Sequence, residues 1–205
     1  MINNNDIDVL DQGFYSQDAS EVAKMLLGKR LVRQYGDIRM SGRIVETEAY
    51  YGETDPPSRA YKGYNNFARL MWDRPGTIFI YMVHANWLMN IVTMEIGTPS
   101  AVLIRAIEPL EGIDVMNSNR YKHGNDLTNG PGKLTEAMMI DKSLNGSMIT
   151  GESANIHIEN SYENISIVSS NRIGVSKDLK TELRFLILQV EMKIIKRYGL
   201  MTLLN

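Results

Sequence analysis

The feature that most constrains this chain is a long segment of strand character at residues 39–50. It follows a shorter apolar-rich run at residues 31–35, and the turn residues Gly36 and Asp37 lie between the two. Two strand-like runs joined by so short a turn predict a β-hairpin with antiparallel strands. The sequence therefore points to an antiparallel sheet built around one long strand.

Alternate side chains of a strand point the same way. The strand should therefore present on one face Ile44, Glu46, Glu48 and Tyr50. Its other face should carry Arg43, Val45, Thr47 and Ala49. Glutamate is poorly suited to strands and is almost never buried unpaired. Two glutamates beside a tyrosine therefore indicate carboxylates held in a polar cleft, the alternative being a solvated face with two ordinary surface glutamates.

Length and composition fit one globular unit. The chain has 205 residues, 43% of them hydrophobic and 22% charged, which is ordinary for one domain with a substantial core. We expect an acidic N-terminal segment at residues 1–17 and a single domain at residues 18–205. Without cysteine, disulfides, thiolate nucleophiles and cysteine-ligated metals are excluded.

No signal peptide or membrane-spanning run is evident in the sequence, so a cytoplasmic protein is expected, nucleoid-associated if it is prokaryotic. The net charge is −2 and unevenly spread, because residues 24–84 carry ten basic against six acidic residues. A basic region permits contacts with nucleic-acid phosphates without requiring them.

Other elements follow from local patterns. Asp18 and Glu21 form a capping-box pattern and Gly28 a stop signal, which together predict a helix over residues 18–27. Strands are predicted at 77–83 and 101–107, helices at 109–120 and 134–140, a second strand pair at 156–159 and 165–169, and a strand or helix at 184–198.

The segment at residues 51–76 reads as a long loop, and loops of this length are usually functional or disordered. Its basic residues are Arg59, Lys62, Arg69 and Arg74, and its larger aromatics are Tyr61, Tyr64, Phe67 and Trp72. Bases interleaved with aromatics suit phosphate contact and base stacking. A solvated loop pinned by its aromatics would have the same composition.

Two further positions are chemically informative. Arg105 interrupts an apolar strand, and a charge there predicts a nearby carboxylate. The turn at residues 129–134 places glycines and Lys133 at the start of a helix, where backbone N–H groups can bind phosphate. It lacks the spacing of a nucleotide-binding loop and is equally consistent with a tight turn.

The sequence leaves few kinds of catalysis open. His84, His123 and His157 are widely separated and stand in no metal-ligand motif. No nucleophile-elbow sequence and no glycine-rich dinucleotide-binding motif occurs. What remains is carboxylate chemistry without a cofactor, in which Glu48 activates a water and Arg105 fixes its charge. Glu46 and Glu48 lie about 6.5–7 Å apart along the strand, which suits hydrolysis of a glycosidic or N-glycosidic bond and does not choose between them.

Six separated blocks between residues 18 and 185 resemble the alkyladenine (3-methyladenine) DNA glycosylases of the methylpurine type. In chain order they are LGKRLV at 27–32, GRIVETEAY at 42–50, PGT at 75–77, LIRAIEPLEG at 103–112, GPGKL at 130–134 and RIGV at 172–175. Each block is weak alone, but six in the right order make a chance match improbable.

The resemblance implies an α+β fold: a single mixed domain with a curved antiparallel β-sheet core and surrounding helices. It implies a monomeric, monofunctional enzyme without metal or cofactor, whose partner is duplex DNA containing damaged purines. The enzyme would flip the nucleotide out of the duplex, because its C1′ is unreachable inside the stack. Alkylated or deaminated purines would be excised, leaving an abasic site.

By the same resemblance, Glu48 matches the general base that activates water and Arg105 the arginine beside it. Tyr50 and Tyr81 match the aromatics that sandwich the flipped base, and Asn90 the side chain that discriminates among purines. Lys133, in the GPGKL block, is expected to contact DNA.

Three departures from the family pattern stand out. Arg59 occupies a pocket position usually held by histidine, and its charge should disfavour cationic 3- and 7-methyl adducts and favour neutral lesions such as hypoxanthine. The stretch that should hold the side chain wedged into DNA is one residue short, which makes His84 the nearest match and leaves Asn86 and Trp87 as alternatives. Residues 186–205 do not follow the pattern.

Two other functions remain compatible with these residues. One is a non-catalytic module of the same fold that binds damaged DNA. The other is a carbohydrate hydrolase that uses both Glu46 and Glu48, and it predicts that loss of either carboxylate abolishes activity.

Overall fold

The computed structural model describes residues 8–151 and 154–188. Its strands are β1 (Arg30–Tyr35), β2 (Ile38–Tyr50), β3 (Ile78–Val83), β4 (Asn86–Val92), β5 (Ala101–Glu111), β6 (Ile156–Glu159), β7 (Ile167–Ser170) and β8 (Arg184–Ile187). Its α-helices are α1 (Gln12–Tyr15), α2 (Ala19–Met25), α3 (Ile113–Arg120) and α4 (Pro131–Ala137). Single 3-10 turns are formed by Arg69–Trp72, Gly124–Asp126 and Lys142–Leu144.

All of these strands belong to one antiparallel sheet centred on β2. The order is β3-β4-β5-β2-β1-β6, and the β7–β8 pair joins through β8. The first half of β2 pairs with β1, whereas residues 46–48 pair on that same edge with β8. Because β1 and β8 pair with successive parts of one edge of β2, the sheet curls. The predicted α+β class with a curved antiparallel core is confirmed.

β2 and β5 are both irregular where they pass each other. Their register shifts on either side of Glu46, so Val45 on β2 and Arg105 on β5 are extra residues in the ladder. A bulge changes which face the following side chains occupy. Ile44 and Val45 both join the main core, so the prediction that Ile44 shares the face of the two glutamates is wrong.

The two faces of the sheet have different coverings. The main core packs on one face and includes Ile78, Ile91, Val102 and Ile104, with α2 and α4 contributing Val22 and Leu134 among others. A smaller cluster packs on the other face. It joins the strand residues Phe79, Val92 and Ala101 to the loop residues Ala60, Ala68, Leu70 and Met71. The long loop after β2 therefore folds back over part of the second face.

The predicted first helix and first hairpin are confirmed. The Asp18 carboxylate caps α2 by accepting the Ser20 amide at 2.8 Å, and Gly28 beyond its end has φ +83°. β1 and β2 form the expected hairpin around Gly36 and Asp37. Upstream of α2, Leu10 and Tyr15 lie in the main core, so the acidic N-terminal residues from 9 onward pack on the domain.

The boundaries after β5 differ from the prediction. A helix from residue 109 was expected, but β5 continues to Glu111 because its acidic residues find partners across the sheet. Arg43 donates to Glu108, and Ser41 donates to Glu111 at 2.7 Å. The helix begins only after Gly112, which has φ +69° and whose added Cβ would lie 2.7 Å from the Arg39 carbonyl oxygen.

Other strand predictions need correction. β4 was not predicted, although it pairs with β3 along its whole length. β6 pairs with β1, and β7 with β8, so the two do not form the expected pair. Of the predicted element at 184–198, β8 is a strand and residues from 189 lie outside the described part. Within the described residues, no helix is long and apolar enough to cross a membrane.

Candidate active site

One row of side chains crosses five strands on the face opposite the main core. The register places in this row Phe79, Asn90, Leu103, Glu48 and Arg184. Tyr50 lies one step to one side, opposite Ala101, and Tyr81 one step to the other side, opposite Leu88. The curled sheet thus brings together the residues predicted for catalysis and base binding, which lie on four different strands and a loop.

Glu48 is completely buried and hydrogen-bonded. Its Oε2 accepts from the Tyr50 hydroxyl at 2.7 Å and from Nη1 of Arg105 at 3.1 Å. Its Oε1 accepts from the Ile173 backbone amide at 2.8 Å. A carboxylate offers about four acceptor positions, so one remains, on Oε1.

Burial dominates the protonation of Glu48 and raises its pKa above the ordinary value of 4.5. Arg105, the Ile173 amide and the Tyr50 hydroxyl act in the opposite direction because each favours the ionised form. A carboxylate with a raised pKa is a stronger base than an exposed one, and it is still held by three donors. This combination suits proton abstraction from a water.

Arg105 joins the two glutamates, as the charge in its strand predicted. Its Nε donates to Glu46 at 2.8 Å while its Nη1 donates to Glu48. Glu46 also accepts from Nε of Arg184 at 2.7 Å. Both guanidinium groups therefore donate to the same oxygen of Glu46, which forms charge-assisted hydrogen bonds with each of them.

Tyr50 is held on both its edge and its face. Its hydroxyl donates to Glu48, and the Arg172 guanidinium lies 4.6 Å from its ring centroid. Burial and the charge of Glu48 raise the pKa of Tyr50, so its hydroxyl keeps its proton and remains a donor.

A buried ion cluster supports this region. Arg172 donates to both oxygens of Asp55 at 2.6 and 2.7 Å and to Asp178 at 2.6 and 3.0 Å. It also donates to the Ala49 carbonyl at 2.9 Å. The neighbouring carboxylates raise the pKa of Arg172 despite its burial, so it stays charged.

The opposite wall of the site is aromatic. Tyr81 packs against Phe79 and Phe67, with ring centroids 5.1 and 5.7 Å away. The Arg59 guanidinium stacks over Tyr81 at 4.7 Å and reaches Phe67 at 5.9 Å. Burial raises the pKa of the Tyr81 hydroxyl, while the positive charge of Arg59 acts in the opposite direction.

Asn90 is buried in the same row as Glu48. Its amide nitrogen donates to the carbonyl oxygens of Phe79 at 3.1 Å and Leu88 at 3.4 Å. These bonds fix the side chain and leave Oδ1 as its acceptor.

His84 and Ala85 form the two-residue tip of the β3–β4 hairpin. Both have positive φ, 46° and 61°, the conformation of the hairpin turn that asparagine and glycine usually adopt. Of the alternatives to His84, Asn86 lies one residue into β4 and donates to the His84 carbonyl at 2.8 Å, and Trp87 packs against the main core. His84 is exposed at the tip.

Lys133 lies on α4 beside this hairpin. An added Cβ on Gly132 would lie 2.6 Å from Cβ of Asn86, so the start of α4 and the base of the hairpin tip are in close contact. The Lys133 ammonium donates to Asn129 at 2.7 Å and is half-exposed. His84 and Lys133 thus border the same edge of the molecule.

Several residues of the site were not singled out from the sequence. Arg172 and Ile173 belong to the block RIGV but carried no predicted role, and Asp55, Asp178 and Arg184 carried no signal. Nothing in their spacing brings them to Glu48, because 125 residues separate Ile173 from it. Among the described residues no group of histidine, aspartate or glutamate could hold a metal ion.

Most of this chain is similar in sequence to known proteins. The sequence profile of the methylpurine-DNA glycosylase family matches residues 13–191. A protein of Desulfitobacterium hafniense named "Putative 3-methyladenine DNA glycosylase" is 42% identical over 177 residues, covering 81% of this chain and 87% of its own. Proteins of the same name from Chlorobium phaeobacteroides and Methanocella arvoryzae are each 43% identical, over 82% of this chain and 86% and 84% of theirs.

Proposed function

Because the chain belongs to the methylpurine-DNA glycosylase family, we propose that it hydrolyses the N-glycosyl bond of alkylated or deaminated purines in duplex DNA and leaves an abasic site. The single observation that carries the mechanism is the buried Glu48 carboxylate. It is held by three donors, is joined to Arg105 and lies between two tyrosines.

In this mechanism Glu48 is the general base. The free acceptor position on its Oε1 binds a water and takes one proton from it, while the water oxygen forms a bond to C1′ of the flipped nucleotide. The C1′–N bond breaks, and its electron pair leaves with the purine. A cationic alkylated purine departs as a neutral base, so the enzyme mainly positions the water and stabilises positive charge developing on the sugar.

Water must gain access to this carboxylate. Glu48 has no exposed surface, and the Tyr50 hydroxyl covers its Oε2. We therefore expect the walls around the carboxylate to open when a base enters and to admit a water to Oε1, while the bonds from Ile173 and Arg105 hold the carboxylate in place. Exclusion of bulk water by the bound base would also strengthen the charge interactions in the site.

Base recognition would use both walls. The purine would stack between Tyr50 and Tyr81, which lie on either side of the row that contains Glu48. Asn90 would contact the edge of the base through Oδ1, its amide nitrogen being engaged by Phe79 and Leu88. A fixed acceptor rejects bases that present another acceptor to it.

Arg59 would set the preference between charged and neutral lesions. Its guanidinium stacks on the tyrosine that forms one wall, so a cationic base stacked there meets a like charge. A neutral base such as hypoxanthine meets none, and can stack on the guanidinium plane.

The rim would contact the DNA itself. The exposed hairpin tip makes His84 the candidate to fill the gap left by the flipped nucleotide. Lys133, on the adjacent helix, would neutralise a phosphate. The basic loop after β2 would add further phosphate contacts through residues such as Lys62.

A carbohydrate hydrolase using both glutamates is disfavoured by the contacts of Glu46. Such an enzyme needs one protonated carboxyl group as its acid. Glu46 instead accepts hydrogen bonds from two arginines, one of which is Arg105, and these contacts favour a role in holding Arg105 over a role as proton donor.

The test uses duplexes that each carry one hypoxanthine, ethenoadenine or 7-methylguanine. Wild type, Glu48→Gln and Glu46→Gln are incubated with them, and abasic sites are cleaved with alkali. We expect scission with wild type, a loss of at least about 100-fold in Glu48→Gln, and retained activity in Glu46→Gln, since general-base catalysis contributes roughly 10²–10⁴-fold.

Glu46→Gln is the matched control. It also removes a carboxylate that lies on this face of β2 and that accepts a hydrogen bond from Arg105. Equal loss in both variants would contradict the assignment of Glu48 as sole base. Tight binding of damaged duplex by wild type without scission would favour the non-catalytic binding module.

A further inference from the structure

The guanidinium of Arg172 uses all of its hydrogen-bond donors. Its five N–H donors make bonds to Asp55, Asp178 and the Ala49 carbonyl, and its side chain has no exposed surface. Asp178 also accepts the Arg172 backbone amide at 2.9 Å, and Asp55 accepts the Tyr51 amide at 2.9 Å. The cluster therefore ties the segment around Arg172 to the end of β2 and to the loop that follows it.

This cluster is connected to the reacting carboxylate by two short routes. Through the chain, the next residue after Arg172 is Ile173, whose amide donates to Oε1 of Glu48. Through space, the guanidinium supports the ring of Tyr50 at 4.6 Å and binds the carbonyl of Ala49, the residue that follows Glu48.

We propose that Arg172 is a positioning residue for this reaction, which fixes the orientation of the Glu48 carboxylate through the Ile173 amide and sets the plane of Tyr50 beneath the incoming base. Asp55 and Asp178 hold the guanidinium for that purpose. The inference rests on the proposed function, since it assigns Glu48 as the base.

A lysine at position 172 could not make the same set of contacts. A guanidinium presents five donors in a rigid plane that matches two carboxylates at once, whereas an ammonium is a point charge with three rotating donors. A lysine would keep the charge and lose both the bridge between Asp55 and Asp178 and the flat surface under Tyr50. Burying an ion cluster is also a poor way to gain stability alone, which is consistent with a role in the site.

The experiment measures single-turnover excision by the full chain between about pH 5 and pH 9, with enzyme in excess over a hypoxanthine duplex. Three variants are compared with wild type: Arg172→Lys, the milder Asp178→Asn, and Arg39→Lys. Arg39 is the matched control, because it also bridges two carboxylates, Glu111 and Glu159, and contacts none of the site residues. Thermal unfolding and duplex binding are measured in parallel.

We expect Arg172→Lys to move the acidic limb of the rate profile to higher pH, because Glu48 loses alignment with a donor that favours its ionised form. The rate should fall tenfold or more at low pH, and the deficit should shrink as pH rises, while duplex affinity stays within about threefold. Asp178→Asn should shift the limb in the same direction by less, and Arg39→Lys should leave it in place.

A purely structural role predicts something else. If Arg172→Lys and Asp178→Asn lower the rate by one factor at every pH, or do not change it, the proposal is overturned. Failure of the proposed function would be recognised separately, by wild type that excises nothing or by active Glu48→Gln.

Discussion

As the proposed general base, Glu48 has to meet two requirements that oppose each other. It must be basic enough to take a proton from water, which burial promotes, and it must be ionised when it does so, which burial resists. Arg105, the Ile173 amide and the Tyr50 hydroxyl resolve the conflict, because each stabilises the anion without removing the carboxylate from its enclosed position. Glu46, two residues away, is instead bridged by two arginines. The same residue type thus acquires two roles from its neighbours.

The clearest prediction at this scale concerns Arg59. Replacement by histidine, neutral above its pKa, removes a fixed charge from the wall formed by Tyr81. At pH 8 we expect Arg59→His to increase excision of cationic 7-methylguanine relative to neutral hypoxanthine by about three- to tenfold, since a unit charge a few ångströms from a stacked base contributes roughly 1 kcal/mol or more. The measurement is the ratio of single-turnover rates on the two duplexes.

Arg69→His is the control for this ratio. Arg69 is exposed on the same loop, so its replacement makes the same change of net charge without touching Tyr81. An equal change of ratio in both variants would mean that Arg59 acts only through the general field of the loop.

Among the elements, the β3–β4 hairpin combines a local conflict with an exposed position. His84 and Ala85 both adopt left-handed backbone conformations that glycine and asparagine accommodate more easily. Six residue pairs between β3 and β4 nevertheless hold the register, and Gly132 of α4 fits against Asn86. Strain of this kind is often found at functional sites, and here it holds His84 at the tip.

Ala85→Gly should stabilise the protein, because glycine adopts φ 61° without a Cβ clash. We expect the free energy of unfolding to rise by about 1 kcal/mol, measured as a higher urea midpoint at unchanged m value. Ala23→Gly provides the opposite control, because Ala23 is buried within α2, and glycine there should lower the free energy of unfolding by about 1 kcal/mol or more through lost helix propensity and a lost buried methyl group. A lower midpoint for Ala85→Gly would show that the turn is not strained by its alanine.

For the whole molecule, catalysis and stability should respond to pH in opposite directions through Glu48. In the proposed mechanism the general base acts as a carboxylate, so the excision rate should rise as pH passes the raised pKa of Glu48. Stability responds in the opposite way. Between the ordinary pKa of 4.5 and the raised pKa of Glu48, this side chain is protonated more often in the folded chain than in the unfolded chain. The contribution of Glu48 to the free energy of unfolding therefore falls as pH rises.

This is measured as the difference in unfolding temperature between wild type and Glu48→Gln. The difference, wild type minus variant, should become smaller or more negative as pH rises above about 4.5, while the wild-type excision rate increases over the same range. A constant difference across this range would mean that the pKa of Glu48 is unchanged by folding.

The sequence by itself determined the hairpin of β1 and β2, the cap and end of α2, and the need of Arg105 for a carboxylate. These follow from turn residues, side-chain hydrogen bonds and the cost of an unpaired charge, all of which act over a few residues or on a single group. Six blocks in order also predicted the family and the curved antiparallel sheet, which are confirmed.

Only the tertiary structure decided what surrounds Glu48. The amide of Ile173 and the cluster of Arg172 with Asp55 and Asp178 reach the carboxylate from distant parts of the chain. The bulges that put Ile44 in the core and Glu46 and Glu48 on the other face depend on the pairing of β2 with β5. Local patterns cannot contain such facts, because register, bulges and long-range ion pairs are set by which strands meet, and that is decided by the packing of the whole sheet.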